Sequence, residues 1–146
     1  MSNNTRLRVL DIISFGHNYG PLQTAPTLSY DVRTIPNPPR ELRQQQKALN
    51  DATALRRWLL ENPVFLSKIN YAKKEIRRLI DAGVDESVSG HHLTVGVNCQ
   101  LGRHRSVTFV NELARSLREE LGEGSPWEIR VKHRDLGRRL SKRSTT

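Results

Sequence analysis

The chain has 146 residues, a length that allows one domain with a true core and excludes two independent ones. Hydrophobic residues make up 36% and aromatics 5%, so the core is aliphatic, and a formal net charge of +9 points to polyanions, RNA above all, or to simple solubility. With no apolar run of bilayer length, no apolar signal core and a single cysteine, the expectation is a cytoplasmic protein without membrane segment or disulfide framework.

Residues 1–5 are polar. Leu7, Val9, Ile12 and Ile13 predict a first strand, stopped by a glycine-flanked loop from Ser14 to Gly20. Leu28 to Val32 predicts a second strand. Asp31 and Arg33 lie on one side of an extended chain, and Pro36, Pro38 and Pro39 fix the loop that follows. Either that loop holds Arg33 and Asn37 toward a ligand, or Asp31 and Arg33 pair with each other. Residues 40–50, with three consecutive glutamines, read as a surface connection. Asp51 is placed to cap a helix carrying Leu55, Trp58 and Leu59. Asn62 and Pro63 start a longer helix with Phe65, Ile69, Ala72, Ile76 and Leu79 on its apolar face, closed by Gly83. Its Lys68, Lys73, Lys74, Arg77 and Arg78 read as a solvated face.

His91 and His92 are adjacent and so point to opposite faces of a strand, a poor metal pair; no metal site and no cofactor is expected. Leu93, Val95 and Val97 alternate as a strand of about six residues. A loop from Asn98 to His104 follows, and from Arg105 the period changes: Val107, Val110, Ala114, Leu117 and Leu121 share one helical face, ended by Gly122 and Gly124. Trp127, Ile129 and Val131 form a last strand that runs into Lys132-His133-Arg134-Asp135. The expected organisation is an α/β domain over 1–136 and a basic tail over 137–146. The domain has a small, mostly parallel sheet of about four strands with helices packed on it. Its strand ends bring four polar loops to one rim, where open α/β sheets bind ligands. Residues 130–146 hold seven Lys or Arg against one Asp. Of these, Arg134, Arg138, Arg139, Lys142 and Arg143 are the expected RNA contacts.

The strand, loop and helix spanning 93–121 carry the chemistry. Such a turn aims backbone N–H groups and the positive end of a helix dipole into the loop. Gly102 allows close backbone approach, and Arg103, His104, Arg105 and Ser106 add side-chain donors, so phosphate is the natural guest. The plainer alternative is a buried Cys99 beside a solvated basic cluster. Two chemistries suit the same loop. In the first, Cys99-x5-Arg105-Ser106 looks like the phosphate loop of cysteine-dependent phosphatases, with Cys99 as nucleophile, Arg105 on the phosphoryl oxygens and Asp135 as the only nominee for general acid. The second is recognition without turnover, and the sequence leans that way.

Four motifs occur in order: Ser-Phe-Gly-x-x-x-Gly from Ser14 to Gly20, Asp-Val-Arg-x-x-Pro-Asn-Pro from Asp31 to Pro38, Gly-x-x-Cys-x-x-Gly-x-His-Arg-Ser-Val from Gly96 to Val107, and His-Arg-Asp-Leu from His133 to Leu136. Together they resemble the C-terminal domain of the RapZ/YvcJ family of RNase adapter proteins, over roughly residues 9 to 140. The resemblance implies a domain that senses an amino-sugar phosphate, glucosamine 6-phosphate, and binds small RNA and a ribonuclease partner. It places the phosphosugar pocket on Arg33, Cys99, Gly102, His104, Arg105 and Ser106. Family members carry an N-terminal domain with a Walker-type loop; no Gly-x4-Gly-Lys-Ser/Thr occurs in this sequence, so a stand-alone form without nucleotide hydrolysis is expected. The loop here reads Cys99-Gln100-Leu101-Gly102 where the bacterial family usually has Cys-Thr-Gly-Gly.

Overall fold

A computed structural model describes residues 8–82 and 91–138. Four strands, β1 (Arg8–Gly16), β2 (Leu28–Asp31), β3 (His91–Cys99) and β4 (Trp127–His133), form one sheet in the order β2-β3-β1-β4. Every pairing is parallel, so the expected mostly parallel sheet is parallel throughout. Helices α1 (Arg40–Leu49), α2 (Thr53–Leu60) and α3 (Pro63–Ala82) link β2 to β3, and α4 (Arg105–Leu121) links β3 to β4. Each of these crossovers needs a long connection, which is why helices sit between the strands.

Alternation sorts each strand into two faces. Leu10 and Ile12 of β1, Val95, Val97 and Cys99 of β3 and Ile129 of β4 share one buried cluster with Phe65, Ile69 and Ile76 of α3 and Phe109, Leu113 and Leu117 of α4. Phe65 meets Phe109 edge-on at 5.6 Å between ring centroids, a favoured aromatic geometry. The opposite sheet face is more polar: buried Asp11 receives two bonds from Arg130, at 2.9 and 3.1 Å, and contacts His92 Nε2 at 2.5 Å. His92 thus adds a side-chain hydrogen bond to the Arg130–Asp11 ion pair. Near the carboxyl end of this face Gly96 lies under Phe15, Leu22 and Pro26, where a Cβ would come within 3.1–3.4 Å of each.

Asn62 caps α3 as its position predicts, its Oδ1 accepting from the amides of Val64 and Phe65. Asp51 accepts from the amide and hydroxyl of Thr53 at the start of α2. Gly83, the expected end of α3, lies outside the described residues, as does Leu7.

Three expectations are corrected. First, β1 does not stop at Ser14: it pairs through Gly16, and only His17–Tyr19 form a single 3-10 turn. Ser14 is tolerated in the buried strand because its hydroxyl is bonded to His133 Nδ1 at 2.7 Å. Second, β3 runs nine residues, from His91 to Cys99, so the cysteine closes the strand instead of opening the loop. Third, residues 40–49 are a helix, α1, although none of them is buried. The prolines before Arg40 and the acidic Glu41 in the first turn favour a helix start, and the run of glutamines hides it.

Candidate functional site

A parallel sheet puts all four strand carboxyl ends on one edge, and there the predicted loops meet. The amide of Asn18 donates to the Gln100 carbonyl at 3.0 Å, and the amide of Val32 to the Asn98 carbonyl at 2.8 Å. The amide of Gly16 donates to Asp135 Oδ2 at 2.7 Å. Between β1 and the loop after β3 the contact is backbone on backbone. A Cβ on Gly16 would lie 2.5 Å from the Leu101 carbonyl carbon, and one on Gly102, whose φ is +73°, would lie 2.7 Å from the Gly16 nitrogen. Gly102 is therefore required for packing against β1. The close approach expected of it is to its own chain, not to a ligand.

The loop turns into α4 at His104, whose side chain makes no cap hydrogen bond. Beside this helix start lies a cleft of about 310 Å³, lined by Asn37, Arg43, Cys99, Gln100, Leu101, Arg103, His104 and Arg105. Three arginines and a histidine face one space without a carboxylate among its walls. Arg105 is only 8% exposed. Its Nη1 donates to the carbonyls of Arg33 at 2.9 Å and Ile35 at 2.7 Å, while its buried Nε has no partner. Arg43 Nε donates to the Pro38 carbonyl at 2.9 Å and Arg103 Nη2 to the Arg138 carbonyl at 3.0 Å. Each cleft arginine is thus braced against backbone carbonyls, Arg43 and Arg105 on the segment of residues 33–38 and Arg103 on Arg138, which holds its guanidinium without neutralising it.

Cys99 is 3% exposed. Its Sγ lies 3.1 Å from Ser106 Oγ and receives the Ser106 amide at 3.4 Å. Burial works against a thiolate here. The Ser106 hydroxyl and amide, the Gly102 amide and the charge of Arg105 outweigh it and hold the thiol below its ordinary value. The ring of His104 is pushed the other way for an imidazole, down to about 4, by burial and then by Arg43, Arg103 and Arg105. At neutral pH it is an uncharged hydrogen-bonding group.

Five predicted site residues, Asn37, Cys99, Arg103, His104 and Arg105, line this cleft. Gly102 and Ser106 stand behind the wall. Arg33 contributes its carbonyl to Arg105, while its guanidinium is bound to Asp31 through Nε at 3.1 Å and Nη2 at 2.8 Å. The pairing of Asp31 with Arg33, weighed in the sequence, is what forms. Sequence reasoning missed Arg43, Gln100 and Leu101. For Arg43 the available signal was the helix start after Pro39, which carries position 43 one turn in and back toward the loop.

Asp135 is fully buried. It takes the Gly16 amide, Arg134 Nη2 at 2.9 Å and Arg138 Nη2 at 3.1 Å. Burial raises its carboxyl, but Arg134, the Gly16 amide and Arg138 together hold it below the usual range. It is an ionised clamp with no proton to give at neutral pH, which does not fit its nomination as general acid. Arg134 also donates to the carbonyls of Tyr19, Gly20 and Pro21, and Arg138 stacks 4.4 Å over the Tyr19 ring. Both expected RNA contacts are therefore engaged within the fold; Arg139, Lys142 and Arg143 lie outside the described residues.

A family model for the RapZ C-terminal domain matches residues 8–137, from the first residue of β1 to the glycine after the Asp135 clamp. The chain belongs to the RapZ C-terminal domain family. Among its relatives, a nucleotide-binding protein of Moorella thermoacetica is 35% identical over 144 residues, covering 95% of this chain and 44% of the relative. One of Heliobacterium modesticaldum is 35% identical over 135 residues, 92% of this chain and 42% of the relative. Another, of Sorangium cellulosum, is 36% identical over 127 residues, 86% and 33%. This RapZ C-terminal domain spans less than half the length of the curated relatives it matches. Among its described residues no helix is long and apolar enough to cross a membrane.

Proposed function

We propose that this RapZ C-terminal domain is a phosphate-recognising module whose cleft at the start of α4 takes a phosphorylated small molecule, an amino-sugar phosphate such as glucosamine 6-phosphate. The observation that supports it most is Arg105. A nine-tenths buried guanidinium with an unpartnered Nε stands at a helix N-terminus, in a cleft that also holds Arg43 and Arg103 and no carboxylate. Buried charge without a counter-charge is costly, and a dianion at the start of the helix relieves that cost. Arg103, Arg105 and Arg43 supply charge; neutral His104, Asn37 and Gln100 supply hydrogen bonds to oxygens.

Titration calorimetry with glucosamine 6-phosphate, glucosamine and sulfate tests this reading. Heat is expected with the two anions and not with glucosamine. Arg103→Ala should weaken binding about tenfold, the effect of one charge-assisted contact. Arg105→Ala should abolish binding with the far-ultraviolet circular dichroism unchanged. Equal affinity for glucosamine and its phosphate ends the proposal.

The adapter part of the reading, contact with RNA and through it with a ribonuclease, rests on the basic C-terminal segment and the family resemblance. Deleting 139–146 removes Arg139, Lys142 and Arg143. It should lower the salt slope of single-stranded RNA binding by about 2. An unchanged slope removes the segment from any RNA contact. One observation favours a second reading, a cysteine-dependent phosphatase: the Cys99 thiol is lowered and lies beside Arg105. That reading predicts turnover of an aryl phosphate that disappears in Cys99→Ser, and it needs a general acid other than Asp135.

A further inference from the structure

Helix α1 is unlike the other helices. It buries no residue, its C-terminus is closed only by backbone bonds from the left-handed Asn50 and from Asp51 to the Gln46 carbonyl, and Leu49 at its end is 64% exposed. Among the described elements its main neighbour is α2, and a groove of about 150 Å³ lined by Leu42, Gln46, Leu49 and Leu55 remains open between them. A ten-residue helix with three glutamines and so little packing has marginal stability by itself. Leu42, half-buried, packs against the edge of the core, and Arg43, which bonds the Pro38 carbonyl just before the helix, reaches into the wall of the cleft. The segment leading into α1 is held in turn by Arg105, through the carbonyls of Arg33 and Ile35. The cleft therefore sits at the root of the least anchored helix in the described structure.

We propose that α1 is an anion-responsive clamp: Arg43 closes over a phosphate bound at the start of α4, and the ligand stabilises the helix of residues 40–49 that delivers it. This rests on the phosphate reading above and adds a coupled folding step to it. Without the anion, three like-charged guanidiniums around one cleft weigh against the closed position of Arg43. With the anion bound, Arg43 gains a partner that exists only when the helix is formed. The surface of α1 facing solvent, including Gln44, Gln45 and Lys47, is then presented in fixed form only in the liganded state.

Hydrogen exchange of the full chain with and without sulfate, together with calorimetry, separates the outcomes. Slower exchange over 42–49 in sulfate, lost in Arg43→Ala, is the expected result. The second variant is Ala48→Gly, an exposed position away from the cleft. A helical glycine there should weaken sulfate binding about fivefold if the ligand must complete the helix. Unchanged exchange in 42–49 together with unchanged affinity in Ala48→Gly overturns the clamp and leaves the phosphate site standing. Absence of sulfate or phosphate binding to the wild-type chain overturns both.

Discussion

Two arginine clusters occupy one rim of the sheet and differ in a single respect. Arg134 and Arg138 surround the fully buried carboxylate of Asp135 and spend their remaining donors and faces on Tyr19, Gly20 and Pro21. Arg43, Arg103 and Arg105 surround a cleft with no carboxylate in its walls. The first cluster has an internal counter-ion, which offsets one of its two charges, and it holds loops together. The second is braced by carbonyls but left positive, which in a small basic protein is tolerable only where water or an anion reaches it. Counting arginines along the sequence does not separate the two; the position of one aspartate does.

The sharpest way to break the contrast is to remove the internal counter-ion. Asp135→Ala leaves the Gly16 amide and two guanidiniums unpaired, and should cost about 3–5 kcal/mol in urea unfolding, the scale for breaking a buried ion pair. A loss below 1 kcal/mol contradicts the clamp. The converse is to give the second cluster an internal anion. Gln100→Glu places a carboxylate in the wall of the cleft and should weaken sulfate binding by at least about tenfold, roughly 1.4 kcal/mol, while leaving or slightly raising stability. Unaltered sulfate affinity in that variant argues that the anion binds elsewhere.

The smallest effect is a pH dependence. His104 is held near 4 in the folded chain by burial and by Arg43, Arg103 and Arg105, against about 6.5 when unfolded. As pH falls from 7 toward 4.5 the unfolded chain binds a proton that the folded chain refuses, so stability falls with pH in that window. Because the ring is partly exposed, about 1 kcal/mol is the expected loss. Burial lowers His133 as well and acts in the same direction, so the difference between wild type and His104→Asn isolates the cleft. Sulfate, whose charge is constant over this range, should flatten the slope in wild type and not in the variant. Equal slopes for the two proteins would remove His104 from the anion's surroundings.

These contrasts also mark how far the sequence is legible. The strand, loop and helix that line the cleft are readable because Leu93, Val95 and Val97 alternate while Val110, Ala114 and Leu117 keep the helical period, so the change of period falls at the loop. The same periodicity places Phe65, Ile69, Ala72 and Ile76 on the buried face of α3. Helix α1 escaped because periodicity reports burial, and α1 has none; Arg43 escaped with it. The last turn of β1 escaped because Ser14 is polar, and its partner His133 lies 119 positions away. Asp135 was visible as a polar residue at a strand end, but its role depends on the Gly16 amide at the same sequence distance. What a local pattern conveys is an element; what a residue does on this rim is decided by which strand end stands next to it.

The paired glycines beneath the cleft carry one more consequence. Gly16 touches Asp135 through its amide and meets the Leu101-Gly102 backbone directly, so backbone, with no side chain between, joins the Asp135 cluster to the loop that opens α4. A side chain at Gly16 would collide with the Leu101 backbone on one side while its amide stays committed to Asp135 on the other. The start of the basic C-terminal segment and the loop that opens α4 therefore rest against one shared backbone abutment.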